Sequence, residues 1–320
     1  MKAAVRVIYG APEEVLRIQE IDKPAPNDDE VLIRVYAASV NRSDYHVLTG
    51  KPLFMRLLTG LSKPRIIVIG SDFAGQVETV GSAVTAFKAG DKVMGFAGAL
   101  GYGTFTEYIR FPESKGIVLM PGNITYEQAA GCLEGTFYAA AGLNELKPTE
   151  GQKALVYGAT GAIGSAHVQL LKYYGVYVTA VCGGEHTELM KSLGADKVID
   201  YKTHDFTKDE EQYDYVIDAV GKSTFAKCKR LLTKKGKYLP SSGLENIFLV
   251  PVTRLLGGKR VLFNAPTDIR GNLGFIKRLV EEGRFRPLID RTYPLEKIAE
   301  AFTYVGTGQK IGNVIIKVND

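Results

Sequence analysis

At 320 residues the chain exceeds the roughly 100–200 of one typical domain, so two domains are expected before any motif is read. With 45% hydrophobic residues, 23% charged residues and 35 glycines, the composition fits a folded α/β protein with many strand-to-helix turns and excludes a disordered chain. The formal charge of +5 is dispersed, and the one dense basic run, KCKRLLTKKGK (227–237), reads as a solvated helix face and turn, so no nucleic-acid partner is expected.

The N-terminal MKAAVRVIYG passes straight into alternating strand-like residues without the pattern of a leader, and no apolar run approaches the ~18 residues of a membrane span. Cys132, Cys182 and Cys228 lie far apart, with no CxxC pair and no spacing suited to a disulfide framework or a structural zinc. A cytoplasmic protein with no membrane partner is expected.

Residues 1–121 read as short strands broken by turns: KAAVRVI, EVLIRVYAASV, SDFAGQVETVG, DKVMGFA and GTFTEYIRF. This predicts a mostly β domain. After PGNIT (121–125) the pattern changes: Tyr126 to Asn144 has helical spacing, and apolar strands then alternate with helices up to residue 265. The strands ALVYG, VYVTAVC, KVIDY, YDYVIDAVG and GKYLPSSG suit a doubly wound parallel sheet buried on both faces, so 122–265 is read as a dinucleotide-binding domain. The tail, 266–320, breaks the alternation and is assigned back to the first domain.

The stretch ALVYGATGAIGS (154–165) places Ala159, Gly161 and Gly164 in an AxGxxG spacing between a strand and a helix. Gly161 would let backbone approach a pyrophosphate and Gly164 would let helix and strand pack closely, while the helix start offers free N–H groups. Ala159, Thr160, Gly161, Ala162 and Ile163 are therefore candidate cofactor residues, against the alternative of a purely structural turn. The next strand ends at Cys182, where an acidic residue would bind the ribose 2′-hydroxyl of NAD. Cys182, Gly183 and Gly184 leave room for a 2′-phosphate bordered by His186, Tyr201 and Lys202, which points to NADPH, with NADH as the alternative that Glu185 keeps open.

A β domain ahead of a Rossmann domain, carrying GSDFAGQVETVG (70–81), FKAGDKVMGF (87–96), GTFTEY (103–108), GATGAIG (158–164), SLGADKVIDY (192–201) and GQKIGNVII (308–316), resembles the medium-chain dehydrogenase/reductase superfamily over essentially the whole chain. It is most similar to the zinc-free quinone oxidoreductase and enone reductase branch. The resemblance implies a GroES-like catalytic domain joined to a Rossmann fold, and a homodimer for which RVLFNAP (260–266) offers an edge strand, although Lys259 and Arg260 also suit the protected edge of a monomer. It further implies cofactor contacts at Arg42, Thr136, Ala219, Val220, Ser242, Gly243, Asn264, Ala265, Gly312 and Asn313.

In the zinc alcohol dehydrogenases of this superfamily, three ligands stand where this chain resembles Asn41, Ser71 and Cys132. One thiol is left, whereas a catalytic zinc needs three protein ligands and an open position, so no zinc is expected and Cys132 is read as an ordinary buried cysteine. Hydride delivery without a Lewis acid suits an electrophile that is already activated, a quinone or an α,β-unsaturated carbonyl. Asn41, Ser43, Tyr45 and His46, in NRSDYHVLTG (41–50), are candidate hydrogen-bond or proton donors to its oxygen. Beside this stands a structural reading, in which Asn41 caps a helix, Asp44 holds its first N–H groups and Tyr45 packs. KPLFMRLLTGLSKP (51–64) reads as a lid or as a packed surface helix. An alcohol dehydrogenase or carbonyl reductase of the same fold, and a non-enzymatic NADPH-binding scaffold or sensor, are the competing functions.

Overall fold

The computed structural model describes residues 1–98, 102–243, 245–263 and 268–319. The chain divides into two compact units, Met1–Glu134 with Asp268–Asp320, and Gly135–Thr267.

The first unit starts with β1 (Lys2–Val5), α1 (Pro12–Val15), β2 (Arg17–Glu20), β3 (Glu30–Val40), α2 (Arg42–Thr49), α3 (Phe54–Thr59), β4 (Asp72–Val80), β5 (Lys92–Phe96), β6 (Tyr108–Pro112), β7 (Ile117–Leu119) and α4 (Tyr126–Gly131). β3 is the longest strand and is buried almost throughout, because its β-branched Val31, Ile33, Val35 and Val40 are covered on both sides. It ends at Val40, and the next residue, Asn41, caps α2 with its backbone N–H donating to Asp44 Oδ2 at 2.9 Å, so the chain turns directly from strand into helix. At the other end of α2, buried Arg6 donates through one guanidinium nitrogen to the carbonyls of Val47 (2.5 Å) and Leu48 (2.9 Å), where a cation complements the helix dipole. The helix that carries the site is thereby fixed at both ends.

The second unit holds α5 (Glu134–Leu146) from its second residue, followed by β8 (Lys153–Tyr157), α6 (Ala162–Tyr173), β9 (Tyr177–Cys182), α7 (Thr187–Ser192), β10 (Lys197–Asp200), β11 (Tyr213–Asp218), α8 (Phe225–Cys228), β12 (Leu232–Pro240), α9 (Glu245–Leu256) and β13 (Arg260–Val261). Its six strands run parallel in the order β10-β9-β8-β11-β12-β13, a doubly wound sheet as the alternating pattern predicts. The order reverses between β8 and β11, and ligands of such sheets bind beyond the strand carboxyl ends at that reversal.

The tail, α10 (Ile269–Glu281), β14 (Ile289–Pro294), α11 (Ile298–Thr307) and β15 (Asn313–Lys317), returns to the first unit. β15 pairs antiparallel with β3, Val314 opposite Val40 and Lys317 opposite Ala37, giving a sheet ordered β14-β15-β3-β4-β5-β7 with β6 also on β3. One boundary differs from the sequence expectation: α4 belongs with the first unit, not with the Rossmann unit. The Tyr126 ring stacks on Tyr36 at 4.4 Å, and Asn313 Nδ2 donates to the Gly131 carbonyl at 3.0 Å. Helical spacing announced the helix but could not say which sheet would receive it.

Candidate active site

The glycine-rich turn follows β8. Gly158 and Ala159 donate their N–H groups to the Val181 carbonyl (3.1 and 3.2 Å), and Gly158 has a φ of +77°. Gly161 caps α6 with extended backbone, φ −71° and ψ 170°, and a Cβ there would meet only the Gly158 carbonyl oxygen, at 3.5 Å. A Cβ on Gly164 would instead lie 2.2 Å from that oxygen. Gly161 therefore leaves open space before the helix start and Gly164 permits close helix–strand packing. No acidic residue occupies the first turn of α6, so its N–H groups and dipole suit an anionic pyrophosphate.

At the end of β11 the buried Asp218 accepts from the backbone N–H groups of Val220 (3.1 Å), Gly221 (2.8 Å) and Ser223 (2.7 Å). This holds Ala219 and Val220 in a fixed loop, with Val220 against Gly158 and Ser242 against Gly221. Ala159, Val220 and Ser242 thus lie around the ends of β8, β11 and β12, with Gly243 next in the chain. Thr136 is buried in α5. Asn264 and Ala265 lie outside the described residues.

Beyond β9, Glu185 turns toward Lys202 and His186: Lys202 Nζ donates to its Oε1 at 2.6 Å and His186 Nε2 lies 3.8 Å from the same oxygen. The Cys182 thiol is buried and pushed up to about 11, so it stays neutral. Tyr201 is exposed, its backbone N–H donating to the Cys182 carbonyl at 3.1 Å, and a side chain on Gly184 would meet Asp200 Oδ2 at 2.6 Å.

In the first unit α2 presents the expected quartet, but their hydrogens are spent differently than expected. Asn41 Nδ2 donates to Ser39 Oγ at 2.7 Å and Asp72 Oδ2 at 3.2 Å. Ser43 Oγ donates to Glu134 Oε1 at 2.5 Å, and Ser71 Oγ to Glu134 Oε2 at 2.6 Å. His46 Nδ1–H donates to the Lys51 carbonyl at 2.7 Å, and burial lowers the imidazole below its ordinary range, leaving a neutral ring whose Nε2 carries a lone pair. Tyr45 packs against Gly306 and the core beneath α11. As they stand, Asn41 and Ser43 thus direct their hydrogens to buried acceptors, and His46 offers an acceptor.

Asp72 and Glu134, buried with Asp44 of α2, are carboxylates that sequence reasoning missed. Burial lifts Asp72 to about 7 against the opposing hydrogen bonds from Ser39 and Asn41. Burial, then the charges of Glu134 and Asp72, lift Asp44 well above the carboxylate range, and burial also raises Glu134 despite its two serine donors and the Lys310 charge. Lys310, whose Nζ donates to the Gly312 carbonyl at 2.5 Å, is lowered by burial to about 8. Three buried carboxyls beside one amine cannot all ionise cheaply, so the cluster retains a proton near neutral pH. The only signal in the sequence was a charge inside otherwise apolar runs, as in GSDFAG and CLEGTF.

Arg42 donates to the Val305 (3.2 Å) and Gly306 (3.0 Å) carbonyls at the end of α11. Gly312, at φ +74°, lies against the Leu288 carbonyl, and Asn313 Nδ2 bonds the Gly131 and Leu288 carbonyls, both at 3.0 Å. These three are engaged within the first unit's own framework.

A zinc ion does not fit the positions where the superfamily's alcohol dehydrogenases hold one. Asn41 and Ser71 are bonded to carboxylates, and burial holds the Cys132 thiol protonated. Among the described residues no group of three or more His, Cys, Asp or Glu is arranged for a metal.

Residues 27–122 match the alcohol dehydrogenase GroES-like domain and residues 193–316 the zinc-binding dehydrogenase domain. Quinone-oxidoreductase QR1, chloroplastic, of Triphysaria versicolor is 31% identical over 97% of this chain and 96% of its own length. The chain belongs to the medium-chain dehydrogenase/reductase superfamily. Another member, the NADPH-dependent alkenal/one oxidoreductase, chloroplastic, of Arabidopsis thaliana, is 32% identical over 99% of this chain and 79% of its own. The quinone oxidoreductase from Coxiella burnetii superposes with a TM-score of 0.90 at 26% identity, over 100% of this chain and 99% of that one. This member of the superfamily is accordingly an oxidoreductase that uses a nicotinamide cofactor and acts on a small molecule.

Proposed function

We propose that the protein is a zinc-independent, NADPH-dependent reductase of quinones or α,β-unsaturated carbonyls. The observation that carries this reading is the fate of the former ligand positions: Ser71 is bonded to Glu134, and Asn41 to Ser39 and Asp72, so polar protein groups stand where a Lewis acid would. Relatives named for quinones and for alkenals and alkenones support the substrate class. NADPH, when bound, supplies a hydride to the conjugated position of the acceptor. Gly161 and the start of α6 would hold its pyrophosphate, and Lys202, now bonded to Glu185, and His186 would border the 2′-phosphate.

The charge that develops on the substrate oxygen needs a proton. Ser43 carries it outward when Glu134 is protonated: the Glu134 O–H then donates to Ser43 Oγ, and Ser43 turns its own hydrogen to the oxygen. The same contact that blocks donation by Ser43 from the carboxylate form thus enables it from the acid form. The protein is read as a cytoplasmic homodimer, with β13, last in the six-stranded sheet, as the joining edge; β13 takes up only Arg260–Val261 of the expected 260–266, of which 264–266 lie outside the described residues.

The test is NADPH and NADH oxidation by chelator-treated protein against quinones, enones and saturated aldehydes, with metal quantified in the same sample. Metal-free, NADPH-linked turnover of the conjugated acceptors is expected. Activity restored only by added zinc would overturn the reading, as would tight cofactor binding with no turnover. Light scattering at micromolar concentration checks the dimer.

A further inference from the structure

α3 packs in an unusual sense. Its inward side is Met55, against the core cluster, and Thr59, which is 1% exposed and whose Oγ1 lies 2.8 Å from the Tyr9 hydroxyl. The Tyr9 hydroxyl also donates to the Gly60 carbonyl at 2.7 Å, and the Arg6 N–H to the Ile67 carbonyl at 3.0 Å, so the segment is fastened to the chain after β1. Its outward side is apolar: Leu57 is 68% exposed, and Leu53 just before the helix and Leu61 just after it are 73% and 69% exposed. Phe54 and Leu58 widen that apolar surface, and Val7 and Ile8, between the anchored Arg6 and Tyr9, are exposed as well. A patch of this kind on a firmly anchored segment marks an interaction surface.

The charge on this segment selects the partner. No Asp or Glu occurs between Asp44 and Asp72, whereas Lys51, Lys63 and Arg65 are exposed on the same segment. A second copy docking here face to face would set these cations against one another with no carboxylate from the segment to meet them. We propose that this face, residues 51–67 with Val7 and Ile8, docks on an anionic lipid surface, the leucines entering the boundary between headgroups and acyl chains and the three cations lying at headgroup level. The chain needs no spanning helix for this, and among the described residues none is long and apolar enough to be one. On this reading the segment that the sequence left as a lid or a packed surface helix is a membrane-facing platform.

Vesicle flotation with the full chain tests this independently of catalysis, comparing phosphatidylcholine vesicles with equimolar phosphatidylglycerol–phosphatidylcholine vesicles. Binding to the anionic vesicles alone is expected, weakened by salt. Leu57→Ser/Leu61→Ser should abolish it, and Lys51→Gln, Lys63→Gln and Arg65→Gln should each lower the partition coefficient about fivefold. All five side chains are exposed, so circular dichroism and NADPH affinity should match wild type. No binding to anionic vesicles at low salt overturns the proposal. Vesicle binding indifferent to these variants places the contact elsewhere and overturns it too. Self-association abolished by the leucine variants, without vesicle binding, assigns the face to a second copy instead.

Discussion

The Ser43 hydroxyl gives its single hydrogen to Glu134 Oε1 at 2.5 Å. A hydroxyl so engaged can donate to a substrate only if the carboxyl behind it holds a proton of its own. Glu134→Gln keeps hydrogen-bonding groups toward both Ser43 and Ser71 but cannot pass a proton on. Its kcat should fall about a hundredfold with NADPH affinity unchanged. The acid form is the competent one, so the wild-type rate should decline as pH rises through the titration of the cluster, and the variant should lack that limb. Equal rates and equal profiles would remove Glu134 from the mechanism.

Asp72 gives stability a pH dependence of defined sign. Burial raises its carboxyl from an ordinary 3.8 to about 7, so between those values the folded state binds a proton that the unfolded state does not. Falling pH through this window stabilises the fold, and the contribution is gone once pH rises above about 7. Between about pH 8 and pH 5 the melting temperature of wild type should gain on that of Asp72→Asn. A constant difference would show that Asp72 stays ionised throughout, held so by Ser39 and Asn41.

The two glycines of the turn should fail in different ways. Gly161 has extended backbone and open space, so Gly161→Ala should keep the melting temperature while weakening NADPH binding at least about tenfold, because the methyl fills the approach to the pyrophosphate. Gly164→Ala would press a methyl onto the Gly158 carbonyl and should cost about 1–3 kcal/mol of stability. Fluorescence titration and thermal melts separate the two effects.

Glu185 and Lys202 should move cofactor preference in opposite directions. Glu185→Ala frees Lys202 from its 2.6 Å partner and should raise the NADPH-over-NADH affinity ratio. Lys202→Ala should lower that ratio, roughly five- to tenfold, by removing a cation from the 2′-phosphate. If neither substitution shifts the ratio of dissociation constants, the 2′-position is read elsewhere.

What was legible from the sequence follows from how local each signal is. The AxGxxG turn could be read because its requirements, room at Gly161 and close packing at Gly164, are met within a dozen consecutive residues. The alternation of β8 to β13 with helices announced a parallel sheet for the same reason, since apolar runs of five or six residues with glycine between them have few other uses. The Asn41 turn was legible as a helix start with Asp44 on its first N–H groups, and Asp44 does accept the Asn41 N–H. α4 was visible as a helix, yet its allegiance depended on Tyr36 and Asn313, one of them almost two hundred residues away.

By itself, then, the sequence determined the two-part α/β architecture and the glycine-rich turn, because each is written in residue types at short spacing. Only the tertiary structure decided how the polar residues near Asn41 are wired. Ser43, Ser71, Glu134 and Lys310 are scattered over most of the chain, and what each can donate depends on which neighbour takes its hydrogen and on how much water burial removes. The outward apolar side of α3 was decided in the same way: spacing alone shows a stripe, and only the packing of Met55 and Thr59 shows which side of the helix faces the core.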